Sequence, residues 1–278
     1  MNITAFSKAL YSTWIYYSPE RILFDAGEGV STMLSNKIYA VKRIFLTHGH
    51  VDHIAGLWNI INTRNNAMGD REKPLTVYYP AGNRGIELYA DFLKRANSEL
   101  RFKLEFVPLK VGDKISLRDA ESTNRYIMPF SVTHTYSETA FGYHVIEVRK
   151  RLKEEYRNLP KEEIANLVKT LGNEQITETY EKKVLTVSGD TILLKREDIL
   201  DTKILFHECT FLKKEDRKFN NHASLEEVID LVKDANVQTL VLYHISSRYI
   251  RSIERTLKKL NIPGTKILFV HPEKIFEF

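Results

Sequence analysis

The sequence is short of the residues that build disulfide frameworks and membrane anchors. It has a single cysteine, Cys209, so an internal disulfide is excluded and a reducing compartment is favoured. No apolar run approaches the length of a membrane span. Residues 1–10 lack the basic stretch followed by a long apolar one that marks a secretory signal. These absences predict a cytoplasmic protein with no membrane partner.

Flexible linkers and internal repeats are also absent. No stretch rich in proline, glycine or serine divides the 278 residues, and no fixed period recurs. The hydrophobic fraction of 43% is ordinary for a globular protein. We therefore expect one domain over residues 1–278, large enough to bury a substantial core. The net charge of +5 favours anionic partners only weakly, since many basic proteins bind no nucleic acid.

The most informative segment is THGHVDH at residues 47–53, which directly follows an apolar run. Imidazole and carboxylate groups are ligands for Zn²⁺ and its first-row neighbours. The spacing suggests two sites, because His48 and His50 project to the same side of an extended strand end. Asp52 and His53 follow where the chain would turn into a helix, so they can face a second ion. The alternative is a polar loop with solvated histidines.

Four more ligand-type residues follow apolar runs elsewhere in the chain: Asp25, His134, Asp190 and His244. Taken alone, each histidine would more often be an ordinary one, and an aspartate after glycine is a common turn residue. Their shared setting at predicted strand ends reverses that preference, because open α/β sheets bind their ligands there.

Alternating strand and helix patterns predict an α/β fold. The predicted helices include residues 54–66, 83–96 and 249–260. Ser224 and Glu227 form a capping-box pattern, which predicts the start of another helix.

The run at 47–53 resembles the His-x-His-x-Asp-His signature of the metallo-β-lactamase superfamily. The resemblance implies an α/β fold of four αββα layers, with two mixed β-sheets sandwiched between helices. It also implies two Zn²⁺ ions, or Mn²⁺ or Fe²⁺ in their place, because such mixed sites discriminate weakly. One ion would bind His48, His50 and His134, the other Asp52, His53 and His244, with Asp190 bridging. Asp25 would support the ligands from beneath without binding metal.

Other segments resemble tRNase Z, a family of endonucleases that mature tRNA 3′ ends. They are DAGEG at residues 25–29, HTYS at 134–137, FGY at 141–143, HECT at 207–210, HAS at 222–224 and HISSRY at 244–249. The resemblance implies that the protein removes the 3′ trailer from precursor tRNA by phosphodiester hydrolysis. The products would be a 3′-hydroxyl on the tRNA and a 5′-phosphate on the trailer. A homodimer is also implied.

Three residues are expected to act in catalysis within this resemblance. Asp52 would orient the attacking water, and His222 would protonate the leaving 3′-oxygen. Glu208 would accept a hydrogen bond from the other nitrogen of His222, which fixes the tautomer and raises the pKa. From the sequence alone, His222 fits an ordinary loop equally well, and Glu208 could merely hold a loop.

A charged insert at residues 149–183 stands where the family has a Gly/Pro-rich arm, and the family's Pro-x-Lys-x-Arg-Asn loop is missing near residues 6–12. We expect Arg149, Lys150, Arg151 and Lys153 to bind tRNA phosphates, which would make the insert a tRNA-binding arm. The alternative is a solvated helical hairpin, because glutamates offset the basic run. Arg248 would either bind phosphate or pin its own loop to a carboxylate.

Two other functions remain open at this point. A dinuclear hydrolase of small phosphodiesters, thioesters or lactams would keep the same centre, and its failure on precursor tRNA would identify it. A tRNA-binding protein with a vestigial site would bind no metal, although all seven ligand positions are filled here.

Overall fold

Two β-sheets pack face to face around a shared apolar core. The computed structural model describes residues 2–67, 73–117 and 124–278. The first sheet comprises β1 (Ile3–Lys8), β2 (Ser12–Tyr17), β3 (Ile22–Phe24), β4 (Arg43–Phe45), β5 (Leu75–Pro80), β6 (Leu104–Leu109) and β14 (Phe276–Glu277). The second comprises β7 (Ile115–Ser116), β8 (Arg125–Val132), β9 (Ala140–Leu152), β10 (Thr177–Val187), β11 (Ile204–Glu208), β12 (Thr239–Tyr243) and β13 (Lys266–Phe269).

The two sheets have the same pattern of strand directions within the described residues. The first has the order β14-β1-β2-β3-β4-β5-β6 and the second the order β13-β12-β11-β10-β9-β8-β7. In the first sheet the pairs from β14 to β3 are antiparallel and those from β3 to β6 parallel. In the second the pairs from β7 to β10 are antiparallel and those from β10 to β13 parallel. Both sheets are therefore mixed, as predicted.

Helices connect the strands, and several of them cover the outer faces of the sheets. They are α1 (Val30–Leu34), α2 (Val51–Ile54), α3 (Leu57–Ala67), α4 (Arg84–Ala96), α5 (Lys161–Leu171), α6 (Asn173–Ile176), α7 (Arg196–Ile199), α8 (Leu225–Val232) and α9 (Ile253–Leu257). Among the described residues, every helix is too short or too polar to cross a bilayer.

Strand β2 shows how the layers form. All its residues are buried, because side chains that alternate along a strand meet apolar surface on both faces. Ile15 and Tyr17 point into the core between the two sheets. Trp14 and Tyr16 point the other way, into the cluster beneath α1, α3 and α4. A matching outer cluster lies between the second sheet and α8. The predicted four-layer αββα fold is confirmed.

Helix boundaries differ from the predictions where the backbone has a local role. The helix predicted at 54–66 is divided into α2 and α3, because Gly56 packs against Ala26 and Gly27, which directly follow β3. Its amide donates to the carbonyl of Ala26 at 2.7 Å, and a Cβ there would collide with the carbonyl of Gly27. The helix predicted at 249–260 is shorter, with α9 following a 3₁₀ turn (Ser247–Tyr249). The predicted capping box is present, since Ser224 accepts from the amide of Glu227.

The charged insert at 149–183 is a β-ribbon that carries helices, and not the helical hairpin considered as the alternative. Strand β9 continues to Leu152 and pairs with the start of β10 beyond the point where β8 ends. Helices α5 and α6 connect the two strands of this ribbon. Cross-strand pairs such as Arg151 with Glu178 favour the ribbon over a helix, because opposite charges directly across from each other stabilise strand pairing.

Candidate metal centre

The residues of the predicted centre lie just beyond strand ends, at one edge shared by the two sheets. Asp25 follows β3, residues 48–53 follow β4, His134 follows β8, Asp190 follows β10 and His244 follows β12. Asp25 and His244 have φ angles of 56° and 57°, in a region that side chains other than glycine rarely adopt. Such strain persists only where the surroundings enforce it, and it clusters at functional sites.

The structure brings all seven predicted ligands together in two groups. Ligand atoms of the first group, and separately those of the second, lie within 4.8 Å of one another. The first group is His48, His50, His134 and Asp190, and the second is Asp52, His53 and His244. Asp190 lies between them: its Oδ2 is 3.4 Å from His53 Nε2, 3.3 Å from His244 Nε2 and 3.8 Å from His48 Nε2. The Asp190 carboxylate therefore contacts histidines of both groups.

One nitrogen of each histidine in the two groups is held by the protein, which leaves the other for a ligand. The Nδ1 atoms of four of them contact Thr47 Oγ1 (2.9 Å, from His48), Asp25 Oδ2 (2.8 Å, from His53), the Asn221 carbonyl (2.9 Å, from His134) and Thr210 Oγ1 (2.9 Å, from His244). His50 is reversed, with Nε2 3.4 Å from Glu138 Oε2 and Nδ1 facing the centre. Partners of this kind fix the ring orientation and the tautomer of metal-binding histidines.

Three buried atoms test whether the centre suits a metal. Within the described residues, His48 Nε2, His53 Nε2 and Asp190 Oδ1 are buried without a hydrogen-bond partner. Buried polar atoms are nearly always satisfied, so three orphaned atoms in one small volume require an explanation. All three face the two groups described above, and their nitrogen and oxygen donors suit divalent first-row metals. The residues therefore fit a divalent metal.

Burial and mutual contacts set the pKa values of the histidines and carboxylates in the centre. Burial lowers the pKa of His48 well below its ordinary value. Burial also acts to lower the pKa of His53, but the carboxylates of Asp190 and Asp25 raise it well above that value. Burial acts to raise the pKa of Asp190, but His244 and His53 hold it well below the usual range. A metal must therefore displace the proton of His53, which makes metal binding depend on pH.

Asp52 connects the centre to the backbone of the turn at Leu10. Its Oδ2 is 3.3 Å from His244 Nε2 and accepts a hydrogen bond from the Leu10 amide at 3.1 Å. Burial raises the pKa of Asp52, but the His244 hydrogen bond and the neighbouring histidines lower it to about 2. The carboxylate is ionised at neutral pH, as a ligand or a group that orients water requires.

His222 and Glu208 contact each other beside the centre. Glu208 is fully buried, and its Oε1 lies 3.1 Å from His222 Nδ1 and accepts from the Ala223 amide at 2.9 Å. Burial lowers the pKa of His222, but the charge of Glu208 and its hydrogen bond raise it to about 9. Arg217 donates to the His222 carbonyl at 2.7 Å and fixes the backbone of this loop. Glu208 therefore favours the protonated form of His222 on the wall of the centre.

Three residues that support the centre do not stand out in the sequence. The Thr47 hydroxyl contacts His48 Nδ1 and donates to Asp25. The Thr210 hydroxyl likewise contacts His244 Nδ1 and donates to Glu208. Glu138 holds His50 and also accepts from the Gly49 amide at 2.6 Å. Both threonines belong to segments singled out in the sequence, THGHVDH at 47–53 and HECT at 207–210, but no role was predicted for them. The three-dimensional contact of Glu138 with residues about 90 positions away carries no local signal.

The predicted RNA-binding residues lie outside the centre. The Arg248 side chain is exposed and lies 5.6 Å from the Phe211 ring and 5.8 Å from the Tyr249 ring. The other four are on the ribbon, where Arg149 pairs with Glu147 and Arg151 with Glu178 at 2.8 Å. Among the described residues, ion pairs thus offset two of the four cations.

The fold and the centre define a protein of the metallo-β-lactamase fold whose residues fit divalent metal. A family model for the metallo-beta-lactamase superfamily matches residues 11–108. The chain is 28% identical to "Ribonuclease Z" of Ligilactobacillus salivarius (strain UCC118) over 88% of its own length and 84% of that protein. It is 26% identical to "tRNase Z TRZ2, chloroplastic" of Arabidopsis thaliana over 90% and 69% of the two chains. The predicted resemblance to ribonuclease Z, or tRNase Z, is confirmed.

The solved structures agree on the fold. The crystal structure of human tRNase Z, short form, superposes with a TM-score of 0.65 at 21% identity and covers 99% of this chain and 98% of its own. At this identity the likeness extends to the arrangement of the two sheets and the helices.

Proposed function

We propose that this protein is a metal-dependent endoribonuclease that removes the 3′ trailer from precursor tRNA. It hydrolyses one phosphodiester and leaves a 3′-hydroxyl on the tRNA and a 5′-phosphate on the trailer. The observation that carries the proposal is the buried pair of His222 and Glu208 beside the two ligand groups. A simple metal-binding site has no need of a protonated imidazole, whereas cleavage that expels a ribose 3′-oxygen does.

Two Zn²⁺ ions per subunit, or Mn²⁺ or Fe²⁺ in their place, would be held by these residues. His48, His50 and His134 would bind one ion, Asp52, His53 and His244 the other, and Asp190 would serve both. Such a pair supplies a nucleophile from water at neutral pH and neutralises charge on the phosphate. The orphaned atoms of His48, His53 and Asp190 support this assignment.

Three side chains act in the reaction. Asp52, ionised and fixed by the Leu10 amide, orients the attacking water. His222 donates its Nε2 proton to the leaving 3′-oxygen, because Nδ1 is occupied by Glu208. Glu208 positions His222 and favours its protonated form, and its own position is fixed by hydrogen bonds from the backbone amides of Ala223, Thr210 and Thr191.

The chain forms one domain, 1–278, in which the ribbon at 149–183 is the tRNA-binding arm. Arg149, Lys150, Arg151 and Lys153 bind phosphates there, and Arg248 binds phosphate near the centre. Among the described residues, neither Lys150 nor Lys153 has an ion-pair partner, so these two have the least to lose on binding RNA. The ion pairs of Arg149 and Arg151 are exposed ones, which are cheap to exchange for phosphate.

The protein acts in the cytoplasm as a homodimer. The homodimer is inferred from the tRNase Z resemblance. The compartment is inferred from that resemblance and from the single buried cysteine, which suits a reducing environment. Sedimentation equilibrium tests the dimer directly, since the chain mass of 32.4 kDa would double.

A 5′-labelled precursor tRNA with a 3′ trailer tests the function. The wild-type protein should make a single metal-dependent cut near the acceptor end, and mapping of both new ends should give a 3′-hydroxyl and a 5′-phosphate. Asp190→Ala should abolish the cut, whereas Asp234→Ala, which removes an exposed aspartate, should preserve it.

The alternatives predict other outcomes in the same assay. A hydrolase of small phosphodiesters or thioesters would bind metal and hydrolyse bis(p-nitrophenyl) phosphate but leave the precursor intact. A tRNA-binding protein with a vestigial site would bind the precursor and take up no metal.

A further inference from the structure

A pocket opens beside the metal centre on the side of His222. His222 and His244 form one part of its wall, and Leu10 and Phe219 form another. The volume is about 280 Å³, close to the lower limit of about 300 Å³ for pockets that bind small molecules. The space suits one nucleotide rather than a longer stretch of chain.

Two apolar side chains of the pocket are unusually exposed. Leu10 is 87% exposed and Phe219 is 76% exposed. Leu10 also has a φ of 72°, which is strained for a residue with a Cβ. Its amide donates to Asp52 Oδ2, so the strained turn is fixed to a residue of the centre. Strain and apolar exposure at the rim of a reactive centre are typical of a surface that binds a ligand.

The same pocket also has two cations. Lys218 and Arg248 line it and, among the described residues, form no ion pair. The Arg248 guanidinium lies against the rings of Phe211 and Tyr249, which restricts its planar head. The lining acid, Asp216, accepts a hydrogen bond from the Tyr249 hydroxyl at 2.5 Å. A restricted guanidinium and a lysine near apolar surface match a nucleotide, with phosphate at one end and a base at the other.

We propose that this pocket binds the last nucleotide of the tRNA, with its base against Phe219 and Leu10 and its own 5′-phosphate facing Lys218 and Arg248. The inference rests on the proposed function. His222 protonates the 3′-oxygen of the nucleotide that leaves, so that nucleotide lies on the His222 side of the scissile bond. The pocket with His222 in its wall is therefore the leaving side, and the trailer lies opposite. Stacking on Phe219 selects for an unpaired base without reading its identity, because every base has a π face.

Precursor tRNAs with a single abasic ribose test this assignment. One substrate carries the abasic site at the last tRNA nucleotide, a second carries it at the first trailer nucleotide, and a third is unmodified. Each is cleaved by the wild type, Phe219→Ala and Phe219→Trp, and kcat/KM is measured. Phe92→Ala is the matched control, because it removes another exposed phenyl group, on α4.

Loss of base stacking changes binding by about 5- to 150-fold. Wild type should lose a factor in this range on the first abasic substrate and cleave the second like the unmodified one. Phe219→Ala should show the same loss on the unmodified substrate and no further loss on the first abasic one. Phe219→Trp and Phe92→Ala should behave like the wild type.

If Phe219→Ala lowered kcat/KM relative to the wild type by the same factor on all three substrates, the assignment would be overturned. It would also be overturned if Phe219→Ala lowered kcat/KM on none of them. A penalty confined to the trailer abasic site would place the subsite on the wrong side and would overturn it as well. Failure of the wild type to cleave the unmodified precursor would instead refute the proposed function, and the subsite would fall with it.

Discussion

One carboxylate, that of Glu208, contacts both the candidate proton donor and the support of a candidate metal ligand. Its Oε1 lies 3.1 Å from His222 Nδ1, and its Oε2 accepts from the Thr210 hydroxyl at 3.0 Å. Thr210 in turn lies 2.9 Å from His244 Nδ1. The orientation of the acid and of a ligand on the second metal therefore depends on the same buried group. A displacement of Glu208 would disturb both at once.

Replacing His222 separates its role as an acid from a role as a ligand. His222→Ala should lower kcat by about 10²- to 10⁴-fold, the usual contribution of a general acid. Metal content and tRNA affinity should stay near normal, as measured by atomic emission and filter binding. His271→Ala, at a histidine outside the centre, is the control.

The opposite outcome has a structural basis. Potential ligand atoms of Asp190, His222 and His244 also lie within 4.8 Å of one another, so these three residues could hold a metal ion. Loss of metal from His222→Ala would make the residue a ligand and would end its assignment as the acid.

Removing the charge of Glu208 should change the pH dependence. The carboxylate stabilises the imidazolium of His222 and raises its pKa to about 9. Glu208→Gln removes that charge, so the pKa of His222 should fall. Because the acid must be protonated to act, the alkaline limb of the kcat profile should move to lower pH. Both proteins are compared with the same metal bound, and an unmoved limb would contradict the role of Glu208.

The groups behind the ligands should control metal affinity. Asp25→Asn removes the carboxylate that accepts from Thr47 and His53, and Glu138→Gln removes the one that faces His50. Loss of such partners typically weakens metal binding about 10- to 100-fold. Competition with a fluorescent chelator measures the change. Asp91→Asn, at an exposed acid on α4, should leave affinity unaltered, and equal affinities for all four proteins would refute the prediction.

The sequence predicted the part of the centre that is formed by neighbouring residues in the chain. Residues 48–53 are contiguous, and the chain turns from β4 into α2 within them, so their chemistry and their placement are local. The resemblance supplied the grouping of distant residues such as His134 and His244. The position of Glu138 depends on how the second sheet packs against the first. Nothing in its neighbourhood could therefore indicate the contact with Gly49.

The ribbon shows a different limit of sequence interpretation. The helical hairpin considered as the alternative agrees with the structure only in α5, because the flanking charged segments gave no strand pattern. Their strand structure comes from pairing between β9 and β10, which begins inside the sheet and continues outward. Pairing partners about 30 residues apart are not visible in local propensity.

The ribbon cations should set the salt dependence of tRNA binding. Replacing Arg149, Lys150, Arg151 and Lys153 with alanine should weaken binding and reduce the slope of log K against log salt by about 0.7–0.9 for each phosphate that the protein no longer neutralises. Hydrolysis of bis(p-nitrophenyl) phosphate should be spared. The control replaces Lys94, Arg95, Lys258 and Lys259, which lowers the net charge from +5 by the same four units. An identical slope in both variants would remove the ribbon from the RNA interface.

His144 should make the fold sensitive to acid independently of the metal. The ring is buried, stacks on Phe130 at 4.2 Å and contacts Thr186 Oγ1 at 3.0 Å. Burial, together with the charge of Lys183, lowers its pKa from the ordinary 6.5 to about 3. Between these two values the unfolded chain takes up a proton that the folded protein refuses. The contribution of His144 to stability is therefore complete above pH 6.5 and declines as the pH falls, by at most about 1.4 kcal/mol per pH unit.

His144→Gln isolates this effect, because glutamine keeps a polar group near Thr186 and does not titrate. The variant should be less stable than the wild type at pH 7, and the gap in the free energy of unfolding should narrow as the pH falls from 6.5 toward 4. Urea titrations of both proteins in a chelator measure the gap, since all other titrating groups are shared and cancel. His271→Gln should show no such narrowing. A gap for His144→Gln that stays constant with pH would mean that the buried ring is protonated as readily in the folded protein as in the unfolded chain.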